Sequence, residues 1–151
     1  MTSIAVTHDI AAPPDAVWAL LTDLPRMGEW SPENTGGTWV KGATGPAMGA
    51  RFVGTNQNGK RRWKTQVTVV TFTPSTAFEF EVTAGGVKVA RWGYAIEPTD
   101  AGCTVTETWT DNRGRLAKAL GKPVSGVDDR GTHNRAGMEL TLTNLAAALE
   151  T

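Results

Sequence analysis

Glu107 is the residue whose type and position most clearly indicate chemistry. It lies in the segment CTVTETWTD, residues 103–111, where threonine occupies every even position from 104 to 110. Successive side chains of a β-strand point to opposite faces, so one face carries threonines and the other carries Val105, Glu107 and Trp109. A carboxyl group in an apolar row either pairs with a base or keeps its proton through a raised pKa. A protonated carboxyl suits a general acid or a hydrogen bond to a ligand.

Three interpretations of Glu107 stay open in the sequence. The carboxyl contacts a ligand, forms an ion pair with a base such as Arg91 or Arg113, or is exposed at a frayed strand. Acid–base catalysis usually needs a second positioned group, and Tyr94 and His133 are the candidates for it. The candidate catalytic residues are therefore Glu107, Tyr94 and His133.

Other polar residues have weaker signals. Glu33 follows a short apolar turn and either points inward beside Trp30 or lies in a solvated loop. Asn56 precedes the Asn58-Gly59 turn and either donates a hydrogen bond into the interior or takes part in the turn. Cys103 has no neighbouring base in the sequence to favour its thiolate, which argues against a nucleophile.

No metal or cofactor motif is present in the sequence. The two histidines, His8 and His133, lack the spacing of metal ligands. The glycines between residues 45 and 49 lack the lysine and the helix of a phosphate-binding loop. We therefore expect neither a metal nor a cofactor.

The composition limits the classes of partner. The 151 residues carry 15 basic and 15 acidic side chains, so no overall field attracts nucleic acid. A basic run at 60–64 is either a phosphate-binding patch or an exposed strand face. One cysteine, no signal-peptide pattern and no long apolar run predict a soluble cytoplasmic protein without stable membrane insertion. The oligomeric state is not indicated.

Hydrophobic periodicity predicts one α+β domain over residues 1–151. An alternating strand at 3–11 precedes a helix at 16–21 and a short helical turn at 26–30. Six further strands follow, separated by turn residues, at 38–40, 50–56, 62–72, 77–82, 89–96 and 103–111. Residues 112–126 are expected to form a connecting loop with one or two helical turns. The last helix, 130–149, carries an apolar stripe at Met138, Leu142, Leu145 and Leu149.

The register of the last two strands follows from the apolar rows. A four-residue loop at 98–101 would place Ile96 opposite Cys103, Tyr94 opposite Val105 and Trp92 opposite Glu107. This pairing puts both apolar rows on one face, as a half-buried sheet requires.

The order of these elements resembles the helix-grip fold, in which a curved antiparallel sheet of about seven strands wraps round a long C-terminal helix. The segments AAPPDAVWALLTDLPRMGEWSP, GARFVGTNQNGKRRWKT, FTPSTAFEFEV and GCTVTETW are similar to those of the START-like superfamily (SRPBCC, Bet v 1-like). The resemblance is to its bacterial polyketide cyclase/dehydrase-like branch and covers nearly the whole chain. It implies an internal, mostly apolar cavity closed by the last helix.

The inward rows of this fold supply the expected cavity wall, which is rich in aromatic side chains with a few polar groups. The predicted wall consists of Trp30, Phe52, Asn56, Trp63, Val67, Phe78, Phe80, Trp92, Tyr94, Glu107, Trp109, Asn134, Met138 and Leu142.

Two functions fit such a cavity. The first is binding of a hydrophobic small molecule, a lipid or a polyketide-like aromatic, for transport, storage or sensing. The second is a cyclase, aromatase or dehydratase that uses acid–base residues in the same cavity. The first is favoured, because only one acid–base group, Glu107, has a strong case.

Overall fold

The structure is a computed structural model that describes residues 2–127 and 129–150, without the side chains of 116, 121 and 122. Seven antiparallel strands form one curved sheet in the order β1-β7-β6-β5-β4-β3-β2. The strands are β1 (Ser3–Ile10), β2 (Asn34–Val40), β3 (Arg51–Asn58), β4 (Arg61–Thr73), β5 (Ala77–Ala84), β6 (Val87–Thr99) and β7 (Gly102–Asp111). The helices are α1 (Pro14–Leu21), a short 3-10 helix (Leu24–Glu29), α2 (Arg115–Ser125) and α3 (Arg130–Leu149). The predicted helix-grip fold is confirmed.

Tight turns join most consecutive strands and explain the meander. Asn58 pairs with Arg61 across a two-residue loop, at the position that the Asn58-Gly59 signal predicts. Gly59 has a φ of 62°, which a glycine adopts without steric cost. Most strands extend one to three residues beyond their predicted ends, because ladder hydrogen bonds continue into the turns.

The predicted register of β6 and β7 is wrong by two residues. Tyr94 lies opposite Glu107, and Trp92 lies opposite Trp109. The reason is that the ladder continues to Thr99 and Gly102, which leaves a two-residue turn instead of four. Gly102 has a φ of 153°, and a Cβ there would collide with the backbone oxygen of Ile10. Since the shift is an even number, the faces stay as predicted and only the neighbours change.

Helix α3 packs along the concave face of the sheet and closes the core. Asp129 caps its first turn by accepting a hydrogen bond from the Thr132 amide at 3.1 Å. Its buried face consists of Asn134, Met138, Thr141, Leu142, Leu145 and Ala146. Met138, Leu142 and Leu145 on this face belong to the apolar stripe that helical periodicity predicts, so the burial of apolar area anchors the helix.

The helical part of the expected loop at 112–126 is longer than the one or two turns predicted, because α2 spans Arg115–Ser125, 11 residues. Gly121 and Pro123 lower intrinsic helix propensity, which favours the loop interpretation. Tertiary contacts outweigh that preference. Asn58 Nδ2 donates to the Ser125 carbonyl at 2.7 Å and Arg61 Nε donates to the Pro123 carbonyl at 3.3 Å. These bonds satisfy carbonyls that the end of a helix leaves unpaired.

None of the helices in the described part of the chain is both long enough and apolar enough to cross a membrane.

Candidate functional site

A cavity of about 430 Å³ lies between the concave face of the sheet, the 3-10 helix, α2 and α3. Strands β3 to β7 supply about half of its wall, and the described α2 residues Ala117, Leu120 and Val124 border it as well. This volume falls within the range of small-molecule sites, about 300–1,000 Å³.

Most of the predicted wall residues lie on this cavity. Their placement follows from strand alternation and from the α3 stripe, which together put one row of each element inward. Among the predicted residues, those that line the cavity are Phe52, Asn56, Trp63, Val67, Phe80, Trp92, Tyr94, Glu107, Trp109, Asn134 and Met138, together with His133.

Trp30, Phe78 and Leu142 do not line the cavity and are instead buried core residues, at most 3% exposed. Phe78 has the predicted inward direction, but the space in front of it is filled. Its ring packs edge-on against Trp18 of α1, with the ring centroids 6.0 Å apart. Leu142 belongs to the same core cluster, one turn beyond Met138 on α3. An inward direction alone therefore does not place a residue on the cavity. Between the sheet and α3, one end of the interior is fully packed and the other end is open.

Glu107 and Tyr94 form a buried polar pair in this aromatic wall. The Tyr94 hydroxyl donates to Glu107 Oε2 at 2.9 Å, and Glu107 Oε1 has no hydrogen-bond partner among the described residues. Burial raises the pKa of Glu107 to about 8, although the Tyr94 hydrogen bond favours the charged form. Burial and the adjacent carboxyl raise the pKa of Tyr94 well above 10. The pair is therefore mainly neutral near pH 7.

A second polar cluster joins α3 to the loop before β2. Arg130 Nη1 donates to Glu33 Oε1 at 2.7 Å and to Asn134 Oδ1 at 3.2 Å. His133 Nε2 lies 3.0 Å from Glu33 Oε2. The side chains of Glu33 and Arg130 are only 18% and 14% exposed, so the ion pair is largely shielded from water. Glu33 thus points inward, and its partner is an arginine of α3.

We expect Arg130→Met to lower the free energy of unfolding by about 3 kcal/mol, because it leaves the Glu33 carboxylate buried without its partner. Adding Glu33→Gln to this variant should restore most of that loss. Urea denaturation of the two single variants and the double variant gives the coupling between the residues. The exposed pair Arg26–Glu29 is the control, and its removal should change stability little. Equal effects at the two pairs would contradict this account of the Glu33 cluster.

The sequence interpretation missed Arg130, Arg113 and the α2 residues as parts of the wall. Arg113 binds the Asp111 carboxylate with Nε and Nη2, each at 2.9 Å. Burial opposes ionisation of Asp111, but these hydrogen bonds hold its pKa below the usual value. A signal existed for Arg130, which precedes the predicted wall residue Asn134 by one turn of α3. Ala117, Leu120 and Val124 likewise recur at helical spacing.

Within residues 2–127 and 129–150, no group of three or more His, Cys, Asp or Glu side chains is arranged to hold a metal ion. The side chains on the cavity wall can form hydrogen bonds, transfer a proton at Glu107 and contact a ligand with aromatic rings.

Comparison with protein families gave a match over residues 1–150 to the family described as polyketide cyclase / dehydrase and lipid transport. A search of curated proteins found no significant match.

Solved structures show the same architecture. The Polyketide_cyc-like protein Cgl2372 from Corynebacterium glutamicum is 31% identical over 98% of this chain and 91% of its own, with a TM-score of 0.67. CV1439 from Chromobacterium violaceum is 12% identical over 100% of this chain and 99% of its own, with a TM-score of 0.75. The di-domain ARO/CYC StfQ from the steffimycin biosynthetic pathway is 15% identical over 98% of this chain and 50% of its own, with a TM-score of 0.74. The last two show likeness of fold alone.

Proposed function

Because the chain belongs to the polyketide cyclase / dehydrase and lipid transport family, we propose that it binds a mostly apolar small molecule whose hydrogen-bond acceptor meets Glu107. Family membership supports a ligand-binding or a cyclase-type role. The buried carboxyl of Glu107, which lies beside the aromatic rings of Tyr94, Trp92 and Trp109 on the cavity wall, is the observation that favours this ligand class.

The hydrogen bonds at Glu107 determine which ligand group fits. Tyr94 donates to Oε2, so the proton of the neutral carboxyl is on Oε1. Oε1 lacks a hydrogen-bond partner among the described residues, and a buried donor without an acceptor costs free energy. A ketone, ester or quinone oxygen accepts this hydrogen bond without bringing a charge into the cavity. A carboxylate ligand fits less well, because its charge must leave water.

Aromatic probes that differ only in the acceptor test this proposal. We expect 1-acetonaphthone, a neutral ketone, to bind about tenfold more tightly than 1-ethylnaphthalene, the value of roughly one buried hydrogen bond. Tryptophan fluorescence reports the binding, since Trp63, Trp92 and Trp109 line the cavity. The preference for the ketone should fall above about pH 8, where Glu107 loses its proton.

Glu107→Gln is the matched control variant, because its amide still donates a hydrogen bond but does not ionise in this range. The variant should keep the ketone preference at all pH values from neutral to alkaline. Equal affinity for the two probes in the wild-type protein at neutral pH would contradict the proposed ligand class. Absence of binding for both would contradict the binding function itself.

A cyclase-type enzyme is the second candidate, and the neutral Glu107–Tyr94 pair is the observation that favours it. In that function the proton on Oε1 moves to the carbonyl oxygen of the substrate, and the Tyr94 hydroxyl stabilises the carboxylate that results. Glu107→Gln separates the two functions, since an amide binds the carbonyl but has no proton to transfer. Unchanged binding with abolished turnover would identify an enzyme.

A further inference from the structure

The basic side chains of this electrically neutral protein are concentrated in two segments. Residues 60–64 and 113–122 each contain four lysines or arginines, together eight of the fifteen in the chain, and neither contains an acidic residue. Hydrogen bonds from Asn58 and Arg61 to the carbonyls of Ser125 and Pro123 bring the two segments together. The result is one basic surface on a protein without net charge.

Most of these charges are available to a partner. The side chains of Lys60, Arg61, Arg62, Lys64, Arg115 and Lys118 are exposed. The acidic residues Asp111 and Glu33, which lie at the same end of the fold, are each paired with an arginine. The Asp111 carboxylate also attracts Lys118, so its charge is shared between Arg113 and one lysine of this surface.

Exposed aliphatic side chains also lie near this basic surface, at the border of the cavity. Leu120, Val124 and Val87 are 52%, 48% and 51% exposed, and all three border the cavity. They are three of the five large apolar residues that are exposed among the described side chains. Val87 follows the Gly85-Gly86 turn, so it projects from the tip of a hairpin. These aliphatic groups of α2 and of the β5–β6 hairpin, together with the basic residues of α2 and of the β3–β4 hairpin, form a rim at the cavity mouth.

We propose that this rim docks reversibly on an anionic lipid bilayer. The rim fits the two regions of a membrane surface. Its lysines and arginines would contact the anionic headgroups, and its aliphatic side chains would reach the boundary of the acyl chains. Nucleic acid would satisfy the charges but offers no apolar surface to Leu120 and Val124. The surface contact needs no membrane-spanning segment, and it places the cavity mouth against the lipid whether or not the proposed ligand is correct.

Sedimentation with sucrose-loaded vesicles tests the docking. We expect the protein to bind vesicles of phosphatidylcholine and phosphatidylglycerol, in a two-to-one ratio, at least about tenfold more strongly than phosphatidylcholine alone. The difference should disappear when NaCl is raised from about 0.05 M to about 0.5 M, as screening requires.

Matched variants locate the contact. Lys60→Glu with Arg62→Glu should weaken binding at least about tenfold, since each cation near an anionic surface contributes about fivefold. Lys41→Glu with Arg51→Glu is the control, because these exposed residues lie at the opposite end of β3 and change the net charge equally. Leu120→Ser should weaken binding at least about threefold, whereas Leu140→Ser, 48% exposed on α3, should not. Circular dichroism confirms that each variant is folded.

Three results would overturn the proposal. The first is equal binding to the two kinds of vesicle, or none to either. The second is a loss with the control pair as large as the loss with the rim pair. The third is salt-sensitive binding of the rim to an acidic protein without any partition to anionic vesicles.

Discussion

The free energy of unfolding of the wild-type protein should fall by about 4 kcal/mol between about pH 5 and pH 9 because Glu107 ionises. Glu107→Gln should abolish most of this loss. In the folded protein, burial raises the pKa of Glu107 from 4.5 to about 8. In the unfolded chain the carboxyl is in water and ionises near its ordinary value. The stabilising contribution of Glu107 is therefore fully present below about pH 4.5, and it is lost as the pH rises through about 8.

The glutamine variant does not follow this course, because its amide stays neutral in both states and still accepts a hydrogen bond from Tyr94. Urea denaturation at several pH values measures the difference, and urea avoids the screening that guanidinium would introduce. Burial raises the pKa of the Cys103 thiol, but this group is common to both proteins and its effect cancels in the comparison.

Glu97→Gln is the control for the removal of one carboxyl from the surface of β6, where Glu97 is exposed. This variant should keep the alkaline loss of the wild-type protein. Parallel stability curves for the wild type and Glu107→Gln would show that Glu107 is ionised in the folded state at neutral pH. That result would also remove the donor on which the proposed ligand class depends.

Leu142→Ala should lower the free energy of unfolding by about 3 kcal/mol, because it creates a void where α3 meets the sheet. Leu142 is fully buried and belongs to the solid part of the core. The surrounding residues come from several elements, so the gap closes only in part. Urea denaturation measures the loss, and an unchanged m-value would show that both proteins unfold from an equally compact state.

Leu140→Ala is the matched control, since it makes the same change two residues earlier on the same helix. Leu140 is 48% exposed, so its loss should change stability by less than about 0.5 kcal/mol. The difference between the two variants measures packing, because helix propensity changes equally in both. Similar losses would contradict the orientation of α3 on the sheet.

Much of the fold was predictable because its elements follow local rules. The α3 helix begins at Arg130 and ends at Leu149, as predicted, since an N-cap at Asp129 and a regular stripe define it locally. The face of each strand that turns inward follows from alternation. The length of α2 was underestimated because Gly121 and Pro123 argue locally against a long helix, while its contacts with the ends of β3 and β4 come from residues 67 and 62 positions away in sequence.

The candidate site shows the same division. Alternation placed Glu107 and Tyr94 on the inward face, but their contact depends on a shift of two residues that the length of the turn after Thr99 decides. The ion pair of Glu33 could not be predicted either, because its partner Arg130 is 97 residues away in sequence.

The sequence by itself determined which side chains face inward and that one of them is a carboxyl among aromatic rings. Only the tertiary structure decided which inward side chains border open space. Phe78 and Phe80 lie on the same face of β5, yet α1 fills the space before Phe78, while Phe80 lines the cavity. Periodicity is a property of one element, whereas a cavity is the volume that several distant elements leave unfilled.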